Sequence, residues 1–160
     1  MVVVLMGVAG SGKTTVGQLL AGLAGATFYD ADDFHPPANV EKMRGGVPLT
    51  DEDRLPWLEA LRSLIASCLE RGARAVLACS ALKEQYRERL LVDERVKLVY
   101  LKGDYELIEQ RLKNRRGHFM KREMLDSQFD TLEEPRQALH VEVAASPEEI
   151  AEVIKDRLGL

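Results

Sequence analysis

The sequence predicts an α/β protein, a three-layer α/β/α sandwich with a five-stranded parallel sheet. Two observations support this fold class. Short apolar runs alternate along the chain with amphipathic segments of helical spacing, which is typical of strand–helix units that cover both faces of a parallel sheet. The first apolar run, VVVLM at 2–6, leads directly into the glycine-rich stretch GVAGSGKT at 7–14. No linker or repeat interrupts the alternation, so residues 1–160 are predicted to form a single domain.

The strands are predicted from short runs of apolar and β-branched residues, which suit a buried parallel sheet. These runs lie at 2–6, 26–31, 74–80, 96–101 and 138–144. Helices are predicted between and after them, at 15–25, 50–72, 81–91, 104–113 and 146–158. The apolar residues at helical spacing are expected to face inward, including Leu23 in the first helix and Val153 in the last.

Two helix starts are predicted from local sequence signals. Pro56 suggests that the second helix begins near Leu55, because proline fits the first turn of a helix. Ser146, Pro147 and Glu149 have the spacing of a capping box, so the last helix is expected to start directly after Ser146.

The composition is that of an ordinary globular protein and narrows the class of partner. The chain is 46% hydrophobic and 30% charged, with a net charge of −4. No basic field is therefore available for nucleic acid or an anionic membrane, and no apolar run is long enough to span a bilayer. Cys68 and Cys79 lack metal-binding or disulfide spacing. The opening MVVVLM is too short for a leader, and we expect a cytoplasmic location.

Residues 7–14 match the phosphate-binding motif G-x-x-x-x-G-K-[ST], in its usual context between a strand and a helix. Glycines let backbone N–H groups surround the β-phosphate, and the following helix N-terminus adds partial positive charge. Lys13 is expected to reach the β- and γ-phosphates, and the Thr14 hydroxyl to coordinate Mg²⁺. The predicted ATP-binding residues are Gly7, Ala9, Gly10, Ser11, Gly12, Lys13, Thr14 and Thr15.

The motifs that the chain lacks argue against two classes of nucleotide-binding protein. A switch GTPase would carry N-K-x-D, whereas the nearest string here is LKGD at 101–104. A mechanical ATPase or helicase usually has an acidic pair ending a hydrophobic strand, whereas AVLACS at 75–80 ends in Cys79 and Ser80. A carboxylate for the metal must then come from elsewhere, and the acidic segment YDADD at 29–33 offers one.

Asp30 and Asp32 occupy alternate positions at the end of the second predicted strand, so both are expected to point toward the phosphate loop. A carboxylate there can orient Mg²⁺, bond a hydroxylated substrate or accept the proton of an attacking hydroxyl. Asp33 is expected to face the other side. His35 either binds an anionic or polyol substrate or caps the turn before Pro36, and the sequence favours neither.

Several longer segments together resemble gluconokinases of the P-loop type. These segments are YDADDFHPPANVEKM, LACSALKEQYRERL, RLKNRRGHFM and SQFDTLEEP, and the resemblance runs from about Gly7 to Pro135 without a large gap. It implies ATP-dependent phosphorylation of D-gluconate at its 6-hydroxyl, a nucleoside-monophosphate-kinase-like fold with a mobile lid at about 113–124, and a homodimer.

A hydroxylated carboxylate needs fixed cations and polar groups around it. Arg54 follows the acidic TDED, Ser80 ends the third strand, and Lys83 and Arg87 are expected four residues apart on one helix face. Together with the resemblance, this gives the predicted substrate-binding set: Asp30, Asp32, His35, Arg54, Ser80, Lys83, Arg87 and Gln128.

The basic run at 111–122 has three interpretations: a solvated face, an RNA-binding patch or a lid over the γ-phosphate. Its place after the fourth strand and its helix favours the lid. Arginines brought onto the transferring phosphoryl group can accelerate such reactions by ~10³–10⁵. Arg111 and Arg115, one helical turn apart, are the predicted lid arginines, and they join Lys13 and Asp32 as the predicted catalytic residues.

Two alternatives remain at this point. A shikimate-kinase-like enzyme also has acids after its second strand, but it pairs them with a glycine–glycine loop where this chain has CSALK at 79–83. A regulatory nucleotide-binding module without turnover is the other, and the intact Lys13, Thr14 and Asp32 argue against it.

Overall fold

The computed structural model describes residues 1–114 and 122–160. Its strands are β1 Val2–Met6, β2 Thr27–Asp30, β3 Ala75–Ala78, β4 Val96–Lys102 and β5 Leu139–Glu142. Its α-helices are α1 Lys13–Ala24, α2 Pro37–Arg44, α3 Asp51–Glu70, α4 Glu84–Leu90, α5 Tyr105–Lys113, α6 Arg122–Thr131 and α7 Pro147–Leu158. A short 3₁₀ helix, Ala31–Phe34, follows β2.

The five strands form one parallel sheet in the order β2-β3-β1-β4-β5. Alternate residues of β1 face opposite layers, because side chains in a strand alternate between the two faces. Val2, Val4 and Met6 pack with the apolar residues of α3, whereas Val3 and Leu5 pack with those of α1 and α7. The predicted three-layer α/β/α sandwich with a five-stranded parallel sheet is confirmed.

The strand order reverses at β1, since the chain first builds the sheet toward β2 and later continues on the other side with β4. In such sheets the crevice at the carboxyl ends of the strands, next to the reversal point, is the usual ligand site. The loop after β1, the acidic segment after β2 and the segment after β3 all lie at this edge.

The start of α3 differs from the prediction. The helix begins at Asp51, four residues before Leu55, because Thr50 and Asp53 form a reciprocal capping box. Thr50 Oγ1 accepts from the Asp53 amide at 3.0 Å, and Asp53 Oδ2 accepts from the Thr50 amide at 2.9 Å. Pro56 therefore stands inside the helix, which loses one backbone hydrogen bond there.

Leu23 and Val153 do not face inward as predicted and are 42% and 43% exposed. In both helices small residues face the core instead, namely Ala21 and Ala24 in α1 and Ala151 in α7. The prediction counted only the large apolar residues, so it placed the inward face of each helix too close to Leu23 or Val153. A helix that packs closely on its neighbours also buries alanine.

No helix in the described ranges 1–114 and 122–160 is long and apolar enough to cross a membrane. Cys68 and Cys79 are both buried thiols.

Candidate active site

The phosphate loop, residues 7–14, owes its shape to glycine at two positions. Gly10 has φ +82°, and a Cβ there would also lie 2.9 Å from the Leu112 side chain. At Gly7 a Cβ would lie 2.9 Å from the Leu101 carbonyl oxygen and 2.7 Å from Ser11 Oγ. Because larger residues are excluded, the backbone can curve closely and turn its N–H groups toward one point.

The polar groups of this loop suit a polyphosphate. Lys13 Nζ donates to the carbonyls of Gly7 at 2.9 Å and Val8 at 3.0 Å, so the ammonium lies across the loop. Gly12 precedes α1 and offers no side-chain acceptor to the first turn of that helix, and a helix N-terminus of this kind can bind an anion. Ser11 Oγ is buried and has no hydrogen-bond partner in the described part of the chain.

Helix α6 reaches the phosphate loop through one side chain. Gln128 Oε1 accepts from the Ala9 amide at 2.7 Å, which joins two segments 119 residues apart in sequence. Gln128 was predicted to bind substrate, and that role stays a prediction. The structure gives it a partner in the nucleotide loop, which the sequence did not suggest.

Asp30 and Asp32 approach the loop in a different way from that predicted. β2 ends at Asp30, whose Oδ1 accepts from the Asp32 amide at 2.9 Å and so starts the 3₁₀ helix. The two acids are therefore not alternate residues of one strand, because this cap turns the chain between them. Burial raises the pKa of the Cys79 thiol to about 12, and the charges of Lys13, Asp32 and Asp30 also act on this thiol.

The Asp32 carboxyl has an unusual electrostatic environment. Surrounding protein atoms raise its pKa above the ordinary aspartate value although solvent still reaches the residue, and the charges of Asp30 and Asp33 raise it further. Lys13 acts in the opposite direction. An aspartate with a raised pKa is a stronger base than an ordinary one, as proton abstraction from a hydroxyl requires.

His35 is fixed by aromatic stacking and by a hydrogen bond. Its ring stacks on Trp57 with centroids 4.4 Å apart and planes at 12°. Asn39 is 3% exposed, and its Nδ2 lies 3.2 Å from His35 Nδ1 and donates to the Asp53 carbonyl at 2.9 Å. Because an amide nitrogen only donates, Nδ1 accepts and Nε2 carries the hydrogen. Burial, and then the charge of Arg54, lower the pKa of His35, so the ring is a neutral donor.

Arg54 and Lys83 meet around Tyr86. Arg54 Nη1 donates to the Leu49 carbonyl at 3.0 Å and to the Tyr86 hydroxyl at 3.2 Å, and Tyr86 in turn donates to Asp51 Oδ1 at 2.5 Å. Lys83 Nζ donates to the same Asp51 oxygen at 2.9 Å. We call the surface carrying Asp30, Asp32, His35, Arg54 and Lys83 the acceptor wall.

The expected pairing of Lys83 and Arg87 on one helix face is wrong, because Lys83 has extended backbone and lies just before α4. Arg87 is only 5% exposed, and its Nη1 donates to the carbonyls of Ala81 at 2.8 Å and Leu82 at 3.1 Å. Ala81 has φ +44°, which is rare for alanine, so the guanidinium stabilises a strained turn after β3. Burial lowers the pKa of Arg87. Its substrate contact stays a prediction.

The remaining predicted residues lie at the same edge or beyond the described ranges. The Ser80 carbonyl accepts from the Gly7 amide at 3.4 Å, so Ser80 borders the phosphate loop. Thr14 and Thr15 are exposed in the first turn of α1. Arg111 Nη2 donates to the Val143 carbonyl beyond β5. Residues 115–121 of the predicted lid, which include Arg115, lie outside the described residues.

Tyr86 and Asp51 were missed by the sequence analysis. A weak signal exists, because Tyr86 lies inside the quoted CSALKEQYR stretch and Asp51 begins the acidic run before Arg54. The residue types at these positions do not predict a contact between residues 35 apart in sequence. The contact forms because α3 packs on α4.

A P-loop at the reversal point of a parallel sheet, with acids and cations following the neighbouring strands, defines a small-molecule kinase. Residues 9–157 match the family model described as shikimate kinase. The thermosensitive gluconokinase of Escherichia coli strain K12 is 48% identical over 134 residues, covering 83% of this chain and 72% of that protein. A probable gluconokinase of Rattus norvegicus is 44% identical and covers 98% and 97%. Within this class, the chain belongs to the gluconokinase family.

The solved structures agree with this assignment. A crystal structure of a gluconokinase from Sinorhizobium meliloti 1021 has a TM-score of 0.85 to this chain at 38% identity, covering 98% of this chain and 94% of that one. The resemblance predicted from the sequence segments is confirmed.

Proposed function

We propose that this chain catalyses the reaction of its family, the ATP-dependent phosphorylation of D-gluconate at its 6-hydroxyl to give 6-phospho-D-gluconate and ADP. One observation carries the proposal beyond family membership: Asp32, whose surroundings raise the pKa of its carboxyl, lies within electrostatic range of Lys13, the lysine that bonds two carbonyls of the phosphate loop. A base beside a phosphate-binding lysine is the arrangement that phosphoryl transfer to a hydroxyl needs.

At the nucleotide end, the chain binds the phosphates of ATP with backbone amides of the phosphate loop and with Lys13. The exposed Thr14 hydroxyl and the Asp32 carboxylate are hard oxygen donors of the kind Mg²⁺ takes, beside phosphate oxygens and water. Within the described residues no three His, Cys, Asp or Glu side chains gather into a metal site, so the fit is to an ion held mainly by the nucleotide. When bound, Mg²⁺ neutralises charge on the phosphates.

At the acceptor end, the carboxylate of gluconate binds the cations Arg54 and Lys83, and the neutral Nε2–H of His35 donates to a hydroxyl oxygen. Asp32 then orients the terminal hydroxyl and accepts its proton as the oxygen attacks the γ-phosphorus. Lys13 stabilises negative charge on the phosphoryl oxygens during transfer.

The test is ADP release with ATP and Mg²⁺ over D-gluconate, shikimate, glucose, AMP and no acceptor, with Lys13→Met as the inactive control. Turnover with gluconate alone supports the proposal. Turnover with shikimate instead would keep the kinase and reject the acceptor, whereas nucleotide binding without any turnover would favour a regulatory module.

The predicted lid and homodimer rest on the family resemblance, and the cytoplasmic location stays a prediction. Light scattering of the purified chain tests the dimer independently of the reaction.

A further inference from the structure

We propose that Tyr86 and Asp51 are positioning residues that hold Arg54 and Lys83 ready for a substrate with a single carboxylate. This inference rests on the proposed function, since it takes a sugar acid as acceptor. It adds the means by which the site selects an anionic polyol over a neutral one.

Tyr86 lies under both cations. The residue is 5% exposed, and its ring centroid lies 5.5 Å from Arg54 Cζ and 5.7 Å from Lys83 Nζ. Its hydroxyl accepts from Arg54 and donates to Asp51. A single buried side chain therefore contacts the cation from α3, the cation before α4 and the carboxylate that balances them.

Asp51 sets the charge of this cluster. Its carboxylate accepts from Tyr86, from Lys83 Nζ at 2.9 Å and from Gln85 Nε2 at 3.3 Å. The hydrogen bonds from Tyr86 and Lys83 lower the pKa of Asp51 to about 2, so it is ionised at working pH. Two cations and one anion leave one net positive charge, which matches a monocarboxylate.

Arg54 keeps one edge for a ligand. Leu49 and Tyr86 occupy Nη1, while Nε and Nη2 have no hydrogen-bond partner in the described ranges. That edge carries two parallel N–H donors, the geometry that binds a carboxylate through both oxygens. The Tyr86 hydroxyl therefore orients the guanidinium with its Nε–Nη2 edge available.

The test is a double-mutant cycle between Tyr86→Phe and Arg54→Gln, read as KM for D-gluconate. Tyr86→Phe keeps the buried ring and removes the hydroxyl, so we expect KM to rise about tenfold with kcat within about twofold. In the Arg54→Gln background the same change should alter KM less than about twofold, because the guanidinium is gone.

D-Gluconamide gives a second readout, because it keeps the 6-hydroxyl but carries no charge. Tyr86→Phe should leave its kcat/KM within about twofold of the wild type, and Asp51→Asn, which removes the anion that holds Lys83, should change kcat/KM for gluconate but not for gluconamide. Tyr105→Phe, which removes a similar 2.5 Å bond to Asp126 away from the acceptor wall, should not change the preference for gluconate over gluconamide.

Equal losses with Tyr86→Phe in both backgrounds, or on both acceptors, would show a merely structural role and overturn the proposal. No loss at all would overturn it too. Failure of the proposed function is distinguishable, since the wild-type chain would then not turn over gluconate.

Discussion

The phosphate loop and the acceptor wall are both built from segments that follow neighbouring strands at one edge of the sheet, but they are held by different means. In the loop, Lys13 bonds two carbonyls six and five residues before it, and glycine shapes the backbone. Around the wall, side chains bond groups farther along the chain, as when Tyr86 bonds the Asp51 carboxylate and Asn39 bonds the Asp53 carbonyl. Backbone geometry therefore shapes the phosphate loop, whereas a network of side chains shapes the acceptor wall.

This difference has a consequence for function. A backbone loop can bind any triphosphate tail, since amides and one lysine recognise phosphate and nothing more. The wall can be specific, because each side chain in it fixes the donor or acceptor that the next one presents. The selection of acceptor is therefore expected to depend on the wall and the affinity for nucleotide on the loop.

The largest expected effect is at Asp32, where loop and wall meet. Asp32→Asn should lower kcat by ~10²–10⁴, the usual contribution of a general base, with KM for ATP little changed. Asp33→Asn is the matched control, because this neighbouring exposed carboxyl should leave kcat within about twofold. Initial rates of ADP release give kcat for both variants. Similar losses of kcat in the two would contradict the role of Asp32 as the base.

The pH dependence follows from the direction of the Asp32 shift. The base must be ionised, so kcat/KM of the wild type should fall as pH decreases through the raised pKa of Asp32, and earlier than for an ordinary aspartate. The raised pKa also means that ionised Asp32 lowers the free energy of unfolding above that pKa. Asp32→Asn should therefore have an equal or higher Tm at neutral pH, and a lower Tm would contradict this.

A smaller effect is expected below the wall, at Arg87. Arg87→Met keeps an apolar stem but leaves the Ala81 and Leu82 carbonyls without their donor, which should lower the free energy of unfolding by roughly 1–3 kcal/mol. Arg89→Met, whose only described ion pair is an exposed 3.6 Å contact to Glu59, should change it by less than about 0.5 kcal/mol. Urea denaturation of both variants measures the difference, and equal values would deny Arg87 this structural role.

The sequence predicted correctly that the phosphate loop lies between a strand and a helix, and the reason is physical. Residues 7–14 are contiguous, and the strand before them and the helix after them fix their surroundings, so the motif alone defines the backbone. The central strands β1 and β3 were predictable in the same way, because both are buried and apolar over their whole length, whereas the edge strands β2 and β5 are only partly buried.

The wall was predicted as a list of residues but not as a network. Lys83 and Arg87 illustrate the reason, since a four-residue spacing implies a shared face only if both residues are helical, and α4 begins after Lys83. The contact between Asp51 and Tyr86 spans 35 residues and depends on how α3 packs on α4. Periodicity within one element cannot give the geometry between two elements.

In the loop, Gly10→Ala tests the dependence on backbone shape. Alanine there has the wrong φ and would lie 2.9 Å from Leu112, so we expect a loss of more than about 1 kcal/mol, seen as weaker ATP binding in titration calorimetry. Gly22→Ala is the matched control, since Gly22 is helical with open space around its Cβ position and alanine should stabilise by roughly 0.5–1 kcal/mol. If Gly10→Ala binds ATP with unchanged affinity, backbone shape does not determine nucleotide binding, and the contrast between the loop and the wall is wrong.

The smallest effect concerns Gln128, a side chain of α6 that supports the loop from another part of the chain. Gln128→Leu removes the acceptor of the Ala9 amide, a bond worth about 0.5–1.5 kcal/mol, so KM for ATP should rise about threefold to tenfold while KM for gluconate stays unchanged. Gln18→Leu, at an exposed glutamine of α1, should change neither constant. A rise in KM for gluconate alone would instead support the predicted contact of Gln128 with substrate, and would assign α6 to the acceptor wall rather than to the loop.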